Sequence, residues 1–369
     1  MKMIRTVLRP AVVVGVGGAA GVSAVRRLGR RGIPVYAVDH RRSPLGFHSR
    51  YSTPIRTSDP DADAAGFVAG LLELAERIGQ PAPILPTRDE DLNAIARSRD
   101  QLGDVFLCPF PPWSVLQAIQ SKRHQILRAS EIGIPVPETS IDGTLPADFP
   151  VLVKPSAPAG FRERFGVQAL RCETARELAD ALTAAGRYEP LVQEFIPGGD
   201  GALYTVGAYL SATGNAVGVF CGRKIRQSPP RVGTCRVGES VWVEELVESG
   251  LELLRALGFV GIAQVEFKRD PRDGRFKFIE VNPRLWQWHE LAASCGVDFP
   301  WIAYLDLLGK QTRPVTSRGR RGRWALTFYD NLRPAFVKPP YVDPFLARDD
   351  PRVALSHCAR VARRSLARR

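Results

Sequence analysis

Methionine, histidine and cysteine are scarce in this chain of 369 residues, which holds two, five and six of them. The cysteines, Cys108, Cys172, Cys221, Cys235, Cys295 and Cys358, include no Cys-x-x-Cys pair and form no Cys/His cluster, so neither a zinc site nor a disulfide framework is expected. Long apolar runs are missing as well: no stretch approaches the ~18 apolar residues that would cross a bilayer as a helix. With 44% hydrophobic residues the composition is globular, which excludes fibrous, collagenous and wholly disordered chains. The length predicts two or three domains.

Acidic residues are outnumbered, 38 against 51 basic, for a net +13. The excess is local: residues 311–369 hold 14 Arg and Lys against 4 Asp and Glu, or +10, which leaves +3 for the first 310 residues. A nucleic-acid binder more often carries its basic stripe through the folded body, so nucleic acid is not an expected partner. The start, MKMIRTVLRPAVVVGVGGAAGVSAV, imitates a signal peptide, but four glycines break the apolar run and VRRLGRRGIPVYAVD continues it as a helix and a strand. A reducing, cytoplasmic setting is the expectation.

The alternation of short apolar strands and helical patterns predicts an α/β domain over residues 1–118. AVVV (11–14), a glycine loop over 15–21, a helix to about residue 31 and IPVYAVD form a βαβ opening; PAPILPT, DEDLNAIARSRDQLG and VFLCPF continue it as strand, helix and strand. From 119 onward the pattern changes to strands joined as hairpins with two intervening helices, an α+β arrangement. The text after Gly309 becomes Arg- and Pro-rich, so residues 311–369 read as a basic C-terminal extension whose WALTFYDN and PYVDPF segments pack in part on the body.

Chemistry concentrates in GIAQVEFKRDPRDGRFKFIEVNPRLW. Asp270 to Arg275 is a turn signal between two apolar runs, which predicts a hairpin. Placing Glu266 directly opposite Glu280 requires an odd-numbered loop centred on Asp273. Both carboxylates then project from one face, joined by Asn282 two residues on, and such a hard-oxygen nest suits Mg²⁺. A hairpin with its glutamates in water is the bland alternative; Arg284 beside the nest, fit for a phosphate or acyl-phosphate oxyanion, argues against it.

Glu266, the EVNPR run at 280–284, KP at 154–155 and QEFIPG at 193–198 stand in an order that resembles the ATP-grasp superfamily, and more narrowly its carboxylate-amine ligase branch, across residues 10–310. The resemblance implies an ATP-grasp fold: a Rossmann-like domain at 1–118, a small ATP-grasp subdomain at 119–192 and a large one at 193–310. It also implies ATP-dependent joining of a carboxylate to an amine through an acyl phosphate, with release of ADP and phosphate. Small-molecule acid and amine would be the partners, a homodimer is allowed, and the cofactors would be ATP and Mg²⁺, two ions, with Mn²⁺ as a substitute. Carried over by residue, Glu266, Glu280 and Asn282 would ligate the metal and Arg284 would hold the acyl-phosphate oxygens. Lys154 would contact adenine and α-phosphate and Lys122 a phosphate. Glu194 and Ile196 would pair with the adenine edge through their backbone, with Gln193 in support and Asp200 on the ribose, while Arg223 and Lys224 would face the β and γ phosphates. As a base for the attacking amine, His289 or a nearby carboxylate is the candidate.

Two departures from the family stand out. The loop after KP is SAPAGFRERFGV, where Arg162, Glu163 and Arg164 replace a glycine- and serine-rich lid; and Gln287, Trp288 and His289 follow Leu285–Trp286, either narrowing the acceptor pocket or packing as aromatic core. Two rival readings use other residues. Gly15, Gly17 and Ala20 satisfy GxGxx(G/A) after a strand, with Asp39 about 20 residues on, which alone would predict a NAD-dependent oxidoreductase. The basic extension alone would suit a non-catalytic binding protein with an acidic or anionic partner.

Overall fold

The structure, a computed structural model, describes residues 8–140, 148–156, 160–230, 233–327 and 340–366. The first domain runs β1 (Ala11–Val14), α1 (Ala19–Gly29), β2 (Val35–Asp39), β3 (Ser52–Arg56), α2 (Ala64–Ile78), β4 (Ala82–Pro86), α3 (Asp89–Arg97), α4 (Arg99–Leu102), β5 (Phe106–Leu107) and α5 (Trp113–Gln120). Its five strands are parallel in the order β3-β2-β1-β4-β5. Every side chain of β1 is fully buried, as a central strand covered on both faces by helices requires. The helix expected as one over DEDLNAIARSRDQLG is two, broken at Ser98.

The small subdomain follows as α6 (Lys122–Glu131), β6 (Thr139–Ser140), β7 (Val151–Pro155), α7 (Phe161–Phe165), β8 (Leu170–Cys172), α8 (Ala175–Ala185) and β9 (Pro190–Glu194), with an antiparallel sheet ordered β6-β9-β7-β8. Because β9 continues to Glu194, a boundary at 192 falls inside a strand. Within the Arg-containing loop, Phe161 and Phe165 turn inward onto Tyr188, with ring centroids 5.2 and 5.9 Å away; 157–159 and the side chains of Arg162 and Glu163 lie outside the described residues.

The large subdomain holds β10 (Leu203–Leu210), β11 (Ala216–Ser228), β12 (Thr234–Ser240), α9 (Glu244–Ala256), β13 (Gly261–Arg269), β14 (Phe276–Asn282), α10 (Glu290–Ser294), α11 (Phe299–Leu307), β15 (Val315–Thr316), β16 (Arg323–Ala325) and α12 (Pro351–Leu366). Its sheet is ordered β14-β13-β10-β11-β12-β16, with β15 beside β11. The period of two along β10 divides the core: Tyr204, Val206, Ala208 and Leu210 pack with α9, while Tyr209 faces the cluster of Trp286, Trp288 and α11. Gly207 on that second face is required by close approach, since a Cβ there would lie 2.2 Å from the Trp286 ring.

The expected basic extension is not a separate appendage. Its strands β15 and β16 join the large sheet, Trp324 and Ala325 are fully buried, and α12 packs on residues 45–48 of the first domain. Two aspartates in this basic stretch hold it there. Asp350, fully buried, accepts from Arg26 Nε at 2.8 Å, Ser49 Oγ at 2.7 Å and the Arg50 N–H at 2.9 Å. Asp349 accepts from both Nε and Nη2 of Arg30 at 2.8 Å and from the Tyr51 hydroxyl at 2.7 Å. His289 joins the same assembly of domains, because its Nε2–H donates to the Ala20 carbonyl at 3.0 Å from a fully buried ring.

Burial separates the two aspartates energetically. Asp350→Ala strands the buried Arg26 guanidinium and should lower unfolding free energy by about 3 kcal/mol or more in urea titration. Asp349→Ala breaks a half-exposed pair and should stay within about 1 kcal/mol; equal losses would contradict this ranking. For His289, burial holds the imidazole down at about 4 from its ordinary 6.5. The unfolded chain therefore binds a proton below about 6.5 that the folded chain refuses until about 4, so this contribution is complete above pH 6.5 and is lost as pH falls through that window. The loss amounts to on the order of 3 kcal/mol, and His289→Gln should flatten the fall in melting temperature between pH 7 and 4.5; an equally steep fall in the variant would refute the assignment.

Candidate active site

The hairpin of β13 and β14 sets Glu266 opposite Glu280 and Gln264 opposite Asn282. The means differ from the expected odd-numbered loop. Arg269 pairs with Phe276 and Phe267 with Phe278 across a six-residue turn, a register in which Glu266 would meet Ile279. A β-bulge at Ile279 inserts one residue and brings Glu280 back to the face of Glu266, while Phe278 and Val281 both reach the core beneath. Asp270 tightens the turn through the Arg272 N–H at 3.0 Å, and its own N–H donates to the Arg275 carbonyl at 2.8 Å.

Two carboxylates brought together in a buried place need cations, and three elements supply them. Lys224 on β11 reaches Glu266 with Nζ at 2.8 and 2.9 Å from its two oxygens. Gln264 Nε2 donates to Glu266 at 2.8 Å and to Thr205 at 3.1 Å, and Asn282 Nδ2 donates to Glu280 at 3.1 Å. Burial pushes the Glu266 carboxyl up, opposed by Lys224 and reinforced by Glu280. For Glu280, burial also pushes upward, but Lys122, the Asn282 amide, Lys154 and Lys224 outweigh it and hold the carboxyl below its usual range. Burial, aided by the like charge of Lys122, brings Lys154 down to about 8.

These lysines come from the facing subdomain. Lys154 ends β7 and donates to Gln193 Oε1 at 2.6 Å, whose own amide donates to Thr139 at 2.9 Å. Lys122 opens α6, capped by Ser121, and lies 3.4 Å from the Pro155 carbonyl. The other expected nucleotide contacts are placed as follows. Glu194 donates its N–H to the Glu138 carbonyl at 2.8 Å, and its carboxylate holds Lys277 at 3.2 Å and Arg272. The Ile196 carbonyl accepts from Lys268 Nζ at 2.7 Å. Asp200 accepts from the Gln227 N–H at 2.8 Å and its side-chain amide at 3.1 Å, and Arg223 is paired with Glu239. Glu266, Glu280, Asn282, Lys122, Lys154 and Lys224 therefore converge, whereas Asp200 and Arg223 are committed to partners on β11 and β12.

His289 is not part of this constellation. A base must meet its proton donor and titrate near the working pH, whereas this ring has no exposed surface, is tied to Ala20 and is held at about 4. Trp288 is likewise core, 2% exposed beneath Phe220. Gln264, Lys268 and Asp89 were not anticipated; the first had a signal, lying two residues before Glu266 on the same strand face.

Arg284 leaves the hairpin toward the first domain, where its Nε and Nη2 donate to the two oxygens of Asp89 at 2.8 and 2.7 Å. It lines a cavity of about 380 Å³ with Gly15, Gly17, Arg41, Glu90 and Gln287. The dinucleotide reading of this glycine loop is overturned here. Asp39, fully buried, receives Arg41 through Nε at 2.8 Å, Nη2 at 2.7 Å and the backbone N–H at 3.0 Å, so it is not presented to a ribose. The guanidinium lies so close over the loop that a Cβ on Gly17 would meet it at 2.1 Å, where a pyrophosphate would have to approach. Among the described residues no group of three or more His, Cys, Asp and Glu converges on a metal, so a cation would rest on the two glutamates and Asn282. The donor set fits one: hard oxygens on one face, with Lys224 already showing that Glu266 accepts a cation there.

Residues 239–303, which span this hairpin and Arg284, match the family described as carbamoyl-phosphate synthase L chain, ATP binding domain. A D-aspartate ligase from Enterococcus faecium (strain Aus0004) is 26% identical over 245 residues, covering 59% of this chain and 58% of the ligase. This chain thus matches less than two thirds of that protein's length. Among solved structures, a biotin carboxylase from Campylobacter jejuni superposes with a TM-score of 0.64 at 19% identity, covering 82% of this chain and 71% of that one. An L-amino acid ligase from Bacillus licheniformis gives a TM-score of 0.62 at 17% identity, covering 84% and 75%. The Rossmann-like first domain, the two α+β subdomains and the paired glutamates on the hairpin agree with these likenesses, and the fold is an ATP-grasp fold.

Proposed function

We propose that the protein is an ATP-dependent ligase that joins a carboxylate to an amine through an acyl phosphate, releasing ADP and phosphate. The observation that carries this reading is the face of buried Glu266 and half-buried Glu280 and Asn282, with Lys122, Lys154 and Lys224 turned toward it from two subdomains. Such a face suits a polyanion bound through cations, and the likeness to D-aspartate ligase and L-amino acid ligase supports its use in C–N bond formation. Glu266, Glu280 and Asn282 would hold Mg²⁺, which when bound neutralises phosphate charge; the reading includes two ions, with Mn²⁺ as a substitute.

The chain's own groups then have distinct tasks. Lys154 and Lys122 lie where they can neutralise phosphate oxygens, and a bound triphosphate would restore the ammonium of Lys154 by setting negative charge beside it. Arg284 offers a planar fork to the oxygens of the acid being activated. A carboxylate oxygen attacks the γ-phosphorus and ADP leaves; the amine then attacks the acyl carbon and phosphate departs. Transfer of this kind depends on alignment and charge neutralisation more than on a titrating side chain, consistent with a site from which His289 stands apart.

Thermal denaturation with nucleotides tests the reading without knowledge of the acid. Mg-ATP at a hundred times its Kd should stabilise the protein by about 2.7 kcal/mol, and NAD⁺ should not. Glu280→Ala should weaken that stabilisation and reduce acid- and amine-dependent ADP release by ~10²-fold. Stabilisation by NAD⁺ instead of Mg-ATP would overturn the proposal.

A further inference from the structure

The two carboxylates of the hairpin are guarded unequally. Cross-strand register puts Glu266 on β13, Thr205 on β10 and Gly222 on β11 in one row, and Lys224, two residues past Gly222, returns to the same face. Its side chain reaches across β10 to Glu266, where Nζ lies 2.8 and 2.9 Å from the two oxygens, with both side chains less than a tenth exposed. Gln264 donates to the same carboxylate at 2.8 Å. Glu280 is held otherwise. Its partner is Asn282 at 3.1 Å, and among the described residues no lysine makes an ion pair with it, so Lys122 and Lys154 act on it from farther off.

An ammonium that spans both oxygens of Glu266 fills the side on which a metal would be held. A divalent cation set beside it would be repelled at close range, and moving Lys224 away unaccompanied would strand a charge out of water. Lys122 and Lys154 oppose a cation through their charge, but neither occupies a ligand. Exchange becomes favourable only when an anion arrives with the metal, because Glu266 then passes from the ammonium to the metal and the ammonium to the anion.

From this we infer that Lys224 is an internal stand-in for the metal: it locks Glu266 against a free divalent cation and yields it only to one that comes with a polyanion. The inference rests on the metal site of the ligase reading above. Lys224 then has a task apart from neutralising phosphate, since it makes metal and nucleotide binding conditional on each other. By linkage that coupling is the same in both directions.

The full chain with Mn²⁺ and no nucleotide, in mildly alkaline buffer with free Mn²⁺ read by electron paramagnetic resonance, tests the lock. Lys224→Met should bind Mn²⁺ at least about tenfold more tightly than the wild type. Lys224→Gln, a polar replacement should the methionine variant not fold, should do the same. Lys122→Met removes an equal charge without emptying a ligand, and should gain about threefold at most. In thermal melting, Mn²⁺ alone should stabilise Lys224→Met and leave the wild type unchanged, while Mn²⁺ with ADP should stabilise the wild type. A gain as large in Lys122→Met as in Lys224→Met would reduce the effect to net charge and overturn the lock. A wild type that binds free Mn²⁺ as tightly as the Lys224 variants would overturn it too, with the ligase reading left standing. A wild type that Mn²⁺ with ADP fails to stabilise would overturn the ligase reading and the lock together.

Discussion

Two carboxylates facing each other across a β-ladder, and largely out of water, are the constraint around which this protein is arranged. Cross-strand neighbours lie about 5 Å apart, and two like charges at that distance repel by about 3 kcal/mol even at an effective dielectric near 20. No single element relieves this. Lys224 reaches Glu266 from β11, while Lys154 from β7 and Lys122 from α6 hold Glu280 ionised from the opposite subdomain. The relief is itself imperfect, because the crowded ammonium of Lys154 is brought down to about 8. Cation crowding on one side and carboxylate crowding on the other describe a gap that a metal and a polyphosphate would neutralise together.

Much of this was legible because it is local. Alternation along β13 and β14 put Glu266, Glu280 and Asn282 on one face, and the strand-to-helix grammar of the first domain gave its parallel sheet. The route to the glutamate pair was not legible. A turn of six residues has the wrong parity, and the correction is a bulge at Ile279, an apolar residue whose sequence context suits either side of a pleat. Nor could composition show that a basic tail docks through its few acids. Asp350 meets Arg26 across 324 positions, and nothing near either residue announces the other.

The glycine loop shows why a local signature underdetermines chemistry. Gly15 has φ near +83° and would, with a Cβ, strike Asp91 and Thr87, so the turn is built as a dinucleotide turn is built. What decides its use is Asp39, which in a dinucleotide site must be open to a ribose. Here Arg41, two residues along the same strand end, folds back onto it. That pairing lies within three residues of sequence, yet its meaning depends on whether the guanidinium swings over the loop or into solvent, which only the packed domain fixes. His289 is the converse case: a residue of the right type beside the right motif, removed from chemistry by the carbonyl of Ala20 on a helix 269 positions away.

Of the arginine–aspartate pairs that join the first domain to the rest of the chain, burial assigns two of them opposite roles. Arg26 and Asp350 are 3% and 0% exposed, so separating them would leave charge stranded out of water, and the pair is permanent scaffold. Arg284 is 21% exposed and Asp89 46%, at the solvent-facing start of α3. A pair so hydrated contributes at most about 1 kcal/mol, and Asp89 released from it would be solvated at once. The guanidinium, in contrast, stays fixed by its position after the hairpin whatever carboxylate it holds. Exchange of Asp89 for an incoming acid is therefore close to neutral in free energy while Arg284 is already in place, which is what a site that acts mainly by alignment requires.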